Sequence, residues 1–207
     1  MTEKEKLTHG MMYDPFTEDM PDLRHKAHEL CREYNSLDEN DPRRAEIINE
    51  LIPENNGVYL QGPIQFDYGC MTSFGKGSYA NFNLVVVDGA PVTIGENVFI
   101  GPNVTLACAI HPLMYEERNP FVREDGQTSN LEYSKPITIG SNCWLAAGVT
   151  VCGGATIGEG SVIGAGSVVT RDIPPHSFAA GVPARVIRTI TEADSVKLKP
   201  ELWEEEK

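Results

Sequence analysis

The sequence predicts a mainly β protein: a parallel β-helix of hexapeptide repeats with a short N-terminal helical segment and a long loop breaking the coils. Three observations carry that reading. Aliphatic residues recur every six positions, a small residue usually follows each of them, and the spacing fails over a single polar stretch. Ile94, Ile100 and Leu106 set the period, and Ile139, Leu145, Val151, Ile157, Ile163 and Val169 continue it. Neither a helix of 3.6 residues per turn nor an alternating strand produces a period of six.

A three-sided coil does. Each face takes about six residues, so one coil takes roughly eighteen and rises one strand spacing, about 4.8 Å. The aliphatic side chain points into the prism. The glycine after it, as in Ile94-Gly95, Ile100-Gly101, Ile139-Gly140, Ile157-Gly158 and Ile163-Gly164, is expected to let the backbone turn the corner. An ordinary glycine-rich β-sandwich is the alternative, and it gives no reason for so long a run of six-spacing. The hand of the coil does not follow from this argument, because parallel crossovers are usually right-handed.

Ahead of the coils, Leu23, Ala27, Leu30, Tyr34 and Leu37 share one helix face at steps of three and four. A second helix is expected from Asp41 as its cap, with Pro42 in the first turn and Pro53 as its limit. Its apolar face is Ile47, Ile48, Leu51 and Ile52. These helices would cover the open end of the β-helix, where unpaired strand edges otherwise invite pairing. Between Leu106 and Ile139 the period lapses, and residues 110–135 are polar. A long loop leaving a regular rod is usually functional or disordered. The expected division is an N-terminal helical cap over 1–57, a β-helix over 58–188 with the loop 110–135, and a tail over 189–207 that opens a helix at Thr191.

Composition narrows the chemistry. At 207 residues the chain suits one domain. No apolar run reaches membrane-spanning length, so no membrane partner is expected. The opening MTEKEKLTHG lacks a hydrophobic signal region, which predicts a cytoplasmic location. A net charge of -13 disfavours nucleic acid as a partner. Five cysteines, an odd number with no CxxC pair, read as free thiols. Of five histidines, His111 stands where the repeat gives way to the loop. An imidazole with a pKa near 6.5 suits a general base; a loop histidine without a task is the alternative reading.

Several strings point further. Tyr79-Ala80-Asn81-Phe82-Asn83, His111-Pro112, the run ITIGSNCW over 137–144, the run GAGSVVTRDIP over 164–174 and AGVPARVIR over 180–188 resemble galactoside, maltose and nodulation-factor O-acetyltransferases. The resemblance spans nearly the whole chain. It implies a left-handed coil and transfer of an acetyl group from acetyl-CoA, as cosubstrate, to a hydroxyl of a sugar acceptor of the maltose, glucose or galactoside kind. It also implies direct attack assisted by a histidine base, no metal, and a homotrimer with its sites between subunits.

Matched by position, His111 falls on the family's catalytic base and Asn81 on its oxyanion-stabilising amide. Asp67, Tyr79, Asp88 and Arg24 fall at or beside acceptor-contacting positions. Solvated turn carboxylates, packing and a surface charge are the plainer readings of those four. Trp144, Ala147, Ala165, Thr170, Arg171, Arg185 and Arg188 match the acetyl-CoA site. The alanines would let the pantetheine arm lie close to the backbone, and the arginines would meet phosphates. The chain departs from the pattern in its longer loop and in Ala146-Ala147. Pro15, with Asp14 beside it, stands where the galactoside enzyme has an acceptor-binding aspartate.

Other classes fit less well. A γ-type carbonic anhydrase needs three coil histidines for zinc, and only His111 lies on the coils before His176. A cysteine acyl-enzyme has no supporting motif. An acetyltransferase for another small hydroxyl or amino acceptor, and a non-catalytic trimer scaffold, stay open as alternatives.

Overall fold

The computed structural model describes residues 1–17 and 19–203. The chain winds as a parallel β-helix whose strands stack into three faces. Face one stacks Tyr59–Leu60, Tyr79–Ala80, Phe99–Ile100, Trp144–Leu145, Val162–Ile163 and Ser177–Gly181, and Ala184–Thr189 folds back antiparallel on the last of these. Face two stacks Thr72–Phe74, Val92–Ile94, Ile137–Ile139 and Thr156–Ile157. Face three stacks Ile64–Phe66, Leu84–Val87, Thr105–Ala107, Thr150–Cys152 and Val168–Val169.

The six-spaced residues form columns inside the prism. Leu60, Ala80, Ile100, Leu145, Ile163 and Ala179 lie in register on face one. Phe74, Ile94, Ile139 and Ile157 do so on face two. Phe66, Val86, Leu106, Val151 and Val169 do so on face three. None of them is more than 2% exposed. The repeat is therefore a burial code: each coil contributes inward side chains to a continuous core, and each strand pairs with the coils above and below.

The small residue after each aliphatic one has a different task from the expected one. The backbone turns at the third position after the aliphatic residue, where Asn97, Asn103, Asn142, Gly148, Gly160 and Gly166 have positive φ. Asparagine and glycine tolerate that conformation best. Gly95 instead lies flat against the next coil, and a Cβ there would stand 2.6 Å from the backbone nitrogen of Ser141. At Gly95, coil-to-coil spacing rather than turning excludes a side chain.

The coil length also differs from eighteen in the first half of the rod. Tyr59, Tyr79 and Phe99 are successive partners twenty positions apart, whereas Trp144 and Val162 are eighteen apart. The extra residues sit at the corner from face three to face two. Phe66 to Phe74 and Val86 to Ile94 take eight positions, and Val151 to Ile157 takes six. That off-period corner carries Asp67, Tyr68, Asp88 and Gly89.

At the same corner of the third coil the chain leaves the rod. The 110–135 stretch is an organised arm. Ala109–Ile110 pairs antiparallel with Tyr133–Ser134, Phe121–Val122 pairs with Thr128–Ser129, and a short helix spans Tyr115–Arg118.

Three helices precede the coils: α1 over Glu3–Thr8, α2 over Met20–Ser36 and α3 over Arg43–Leu51. Helix α1 was not expected; its sequence EKEKLT buries a single residue, Leu7, and Thr2 and Glu5 close its N-terminus in a capping box. Helix α2 buries Ala27, Leu30, Cys31 and Tyr34 and packs on the strand Ile64–Phe66. Helix α3 starts at Arg43, later than expected, because Pro42 holds the cap position; the Asp41 carboxylate still accepts the Arg43 N–H at 2.9 Å. Arg44 joins cap to coil: it lies over the Tyr34 ring and donates to the carbonyls of Leu60 and Gln61. In the tail, Thr191 caps only a 3₁₀ turn, Glu192–Asp194, and two further 3₁₀ turns follow in place of a helix. No helix among the described residues is long and apolar enough to cross a membrane.

Candidate active site

The residues singled out from the sequence fall on two edges of the prism. One edge lies between faces one and three. Asn81 follows the inward Ala80 there, and Ala147 and Ala165 occupy the same corner higher up the rod. Both alanines are exposed. The adjoining face carries an outward column in register: Tyr59, Tyr79, Phe99, Trp144, Val162 and Phe178. Strand alternation sends these side chains to solvent. Trp144 is 51% and Phe99 57% exposed, and Tyr79 stacks on Tyr59 with ring centroids 6.1 Å apart.

At the upper end of that column, Trp144, Val162, Phe178, Arg188, Ile190 and Asp194 line a cavity of about 310 Å³. Arg188 lies over the Phe178 ring and pairs with Asp194 at 2.6 Å. Arg185 is exposed and donates to its neighbour's carbonyl, that of Ala184.

The second edge lies between faces three and two. It carries Asp67, Asp88 and His111, with exposed Thr170 and Arg171 at the same corner of a later coil. Asp88 is fully buried, so it is not a solvated turn carboxylate. The Tyr68 N–H donates to one of its oxygens at 2.8 Å and the Thr72 hydroxyl to the other at 3.0 Å. Burial nevertheless pushes its pKa up to about 6. Asp67 lies one coil earlier and faces His28 at 3.7 Å. Burial raises its pKa as well, against the opposing pull of His28 and Arg24. Arg24 reaches this edge from α2, donating to the Tyr68 hydroxyl and stacking over Phe16.

His111 begins the arm and is half exposed; its Nε2 faces a Glu132 oxygen at 3.7 Å. The other Glu132 oxygen accepts the hydroxyl of Tyr13. Tyr13 is fully buried and its backbone bridges to Glu132 in antiparallel fashion. Neither Tyr13 nor Glu132 was singled out from the sequence. The alternation of Leu131-Glu132-Tyr133-Ser134 marks a strand, but only the fold returns that strand to His111. Asp14, beside Pro15, does not reach toward His111. Its carboxylate pairs with Arg123 at 3.2 Å and accepts from Ser129, tying the N-terminal segment to the arm.

Within one chain the two edges do not meet. A whole strand of face three separates Asn81 from His111, a width of about six residues at 3.3 Å each. The five cysteines are free; Cys31 and Cys108 are buried, which pushes their thiols up to about 11 and about 12 and away from reactivity. Among the described residues, no three His, Cys, Asp or Glu side chains gather as a metal site.

Comparison with known proteins follows the same lines. The family described as bacterial transferase hexapeptide (six repeats) matches residues 136–171, and the maltose acetyltransferase hexapeptide capping motif matches residues 6–54. A galactoside O-acetyltransferase of Escherichia coli K12 is 41% identical over 196 residues, 94% of this chain and 92% of that protein. A maltose O-acetyltransferase structure from Clostridium difficile 630 superposes with a TM-score of 0.83 at 36% identity, covering 93% of this chain and 99% of the other. A galactoside acetyltransferase solved in complex with coenzyme A gives 0.82 at 40% identity, over 94% of each chain. With capping helices, hexapeptide coils and likeness over nearly its full length, this chain belongs to the galactoside and maltose O-acetyltransferase family of acetyl-CoA-dependent acetyltransferases.

Proposed function

We propose that this protein moves an acetyl group from acetyl-CoA to a hydroxyl of a sugar acceptor, in a site completed by two copies of the chain. The observation that carries the reading is the division of the site residues between two edges. One edge presents a base, His111, with a carboxylate suited to sugar hydroxyls, Asp67, on the same corner. The other presents a neutral amide, Asn81, below a channel lined by Tyr79, Trp144, Ala147 and Ala165. Setting the first edge of one subunit against the second edge of the next assembles both halves, as a cyclic trimer does. That a related galactoside acetyltransferase was solved in complex with coenzyme A supports coenzyme A as the carrier of the acetyl group.

The reaction is direct transfer. The acceptor oxygen attacks the thioester carbonyl while its proton passes to the His111 imidazole. A new C–O bond forms, and Asn81 donates its amide N–H to the tetrahedral oxyanion. The C–S bond then breaks, and the imidazolium returns the proton to the CoA sulfur. Trp144 walls the thioester channel. Arg185 and Arg188, with Thr170 and Arg171, hold the CoA phosphates; Arg188 exchanges its Asp194 partner for a phosphate when the cosubstrate binds. Acceptor hydroxyls are held by Asp67, Tyr79 and Arg24; Asp88, fully buried with both oxygens bonded inside the corner, acts from behind them by fixing the corner.

The test is acetyl-CoA consumption with maltose, glucose, galactosides and amino sugars as acceptors, run beside His111→Ala. Acetylated sugar formed only by the wild type is the expected result. Acetylation confined to amine acceptors, or no consumption with any of them, would overturn the reading.

A further inference from the structure

The side chains around His111 include a buried group to which the proposed reaction gives no task, the phenol of Tyr13. A fully buried hydroxyl requires a partner, and the partner here is Glu132, from a position 119 residues away. The arrangement is doubly fixed. The Tyr13 N–H donates to the Glu132 carbonyl at 2.9 Å, and the Glu132 N–H donates to the Tyr13 carbonyl at 3.2 Å. Gly89 gives the pair its room, since a Cβ there would lie 2.5 Å from Ser134 Oγ and 3.1 Å from the Tyr13 hydroxyl. Glu132 thus has one oxygen held from below by Tyr13 and the other free to face His111.

We infer that Tyr13 is a positioning residue for the acetyl transfer, holding the Glu132 carboxylate against His111. The inference rests on His111 as the base. A carboxylate opposite one ring nitrogen keeps the proton there and leaves the lone pair of the other nitrogen for the acceptor. It also stabilises the imidazolium that forms as the acceptor proton arrives. A carboxylate on a flexible stem does this poorly unless something fixes it, and a neutral donor fixes it without cancelling its charge. Burial raises the Tyr13 pKa far above the working range, so the phenol stays a donor. The charged and titratable groups that face Glu132 are His111 from the arm's first strand, Tyr13 from the N-terminal segment, and Tyr68 from the coil corner with Arg24 bonded to it.

The experiment compares Tyr13→Phe, Glu132→Gln and the double variant in the full-length protein. Tyr13→Phe removes one oxygen and keeps the ring and the backbone bridge. It is expected to lower kcat about tenfold, the rate equivalent of a weakened hydrogen bond to a charged group. The acetyl-CoA KM should stay within about twofold, since the uniform binding contacts are untouched. The acid limb of kcat/KM should move to lower pH in Glu132→Gln, where the imidazolium loses its stabilising charge, and in the same direction but by less in Tyr13→Phe, where that charge is no longer held in place. Glu132→Gln should gain no further loss from Tyr13→Phe, since both act through one carboxylate.

Wild-type kcat and pH profile in Tyr13→Phe would overturn the proposal. So would a loss of kcat with an unmoved pH limb that adds in full to that of Glu132→Gln, since that is the mark of packing alone. Failure of His111 as the base is a separate result: it would appear as near-normal transfer by His111→Ala, whatever Tyr13→Phe does.

Discussion

Asn81 and His111 stand at opposite edges of the same face of the prism, with the strand column of Leu84–Val87 and Thr105–Ala107 between them. No side-chain rotation closes that gap, so a site that uses both draws them from different subunits. Mixing subunits tests this. Co-assembling His111→Ala with Asn81→Ala in equal amounts should restore about a quarter of wild-type activity. In random cyclic trimers, three in four are mixed and each has one intact site of three. Activity no higher than that of the two inactive parents would place both residues in one subunit's site, or exclude one of them.

His111→Ala should lower kcat by about 10²–10⁴-fold, the range expected for losing a general base. Acetyl-CoA binding should change little, because on the proposed reading His111 makes no contact that holds the cosubstrate. Asn81→Ala should lower kcat by up to about 10²–10³-fold if its amide is a main oxyanion donor. Steady-state kinetics with a good acceptor decides both.

Asp88 makes stability depend on pH. Its pKa of about 6 in the fold lies above the ordinary 3.8, so between those values the native state binds more protons than the unfolded state. Stability from this group is therefore full below about pH 4 and falls as pH rises through 6. The difference amounts to about 2–3 kcal/mol, since each pKa unit is worth about 1.4. Asp88→Asn should flatten the fall in Tm between pH 4 and 7. An unchanged slope in the variant would assign the pH dependence elsewhere.

Replacing both Arg185 and Arg188 with Ala should raise the acetyl-CoA KM by more than it lowers kcat, because phosphate contacts are equally present in ground and transition states. Asp194→Ala, which frees Arg188 from its partner, should leave that KM unchanged or lower it. A double variant with a normal KM would remove these arginines from the CoA site.

Gly95→Ala tests the spacing role of the small residues. The added methyl would meet the backbone of the next coil, which has no rotamer to yield. A cost of about 1–3 kcal/mol is expected, seen as a Tm lowered by about 2–4 °C for each kcal/mol. A neutral outcome would return the turning role to that position.

What the sequence made visible follows from how far apart the interacting residues lie. The inward columns are legible because each aliphatic residue repeats a local rule, and nine of them stand six apart in the sequence. The corner asparagines and glycines at Asn97, Asn142 and Gly160 follow a rule as regular, but one of backbone conformation, which side-chain polarity hides. His111 was legible as the place where the repeat stops. Glu132 and Tyr13 were not, because their meeting depends on the arm returning across 22 positions and on the N-terminal segment lying against it. Asp88 was found by resemblance alone: its burial comes from the two-residue excess at its corner, which reads in sequence only as a lapse in the period.

The arm leaves the ladders on either side undisturbed. Ile139 pairs beside Ile94, Leu145 beside Ile100 and Val151 beside Leu106, each after 45 positions in place of the 20 of the coils before and the 18 of the coil after, with no change of face or register. The rod thus keeps no record of the arm's length. All it requires is that the two ends emerge as neighbours, which the pairing of Ala109–Ile110 with Tyr133–Ser134 secures. Loop closure costs only about 0.6 kcal/mol for each doubling of length. This corner is accordingly the place where a lineage can trade one arm for another, retuning what approaches His111 while the scaffold that anchors the acetyl donor stays the same.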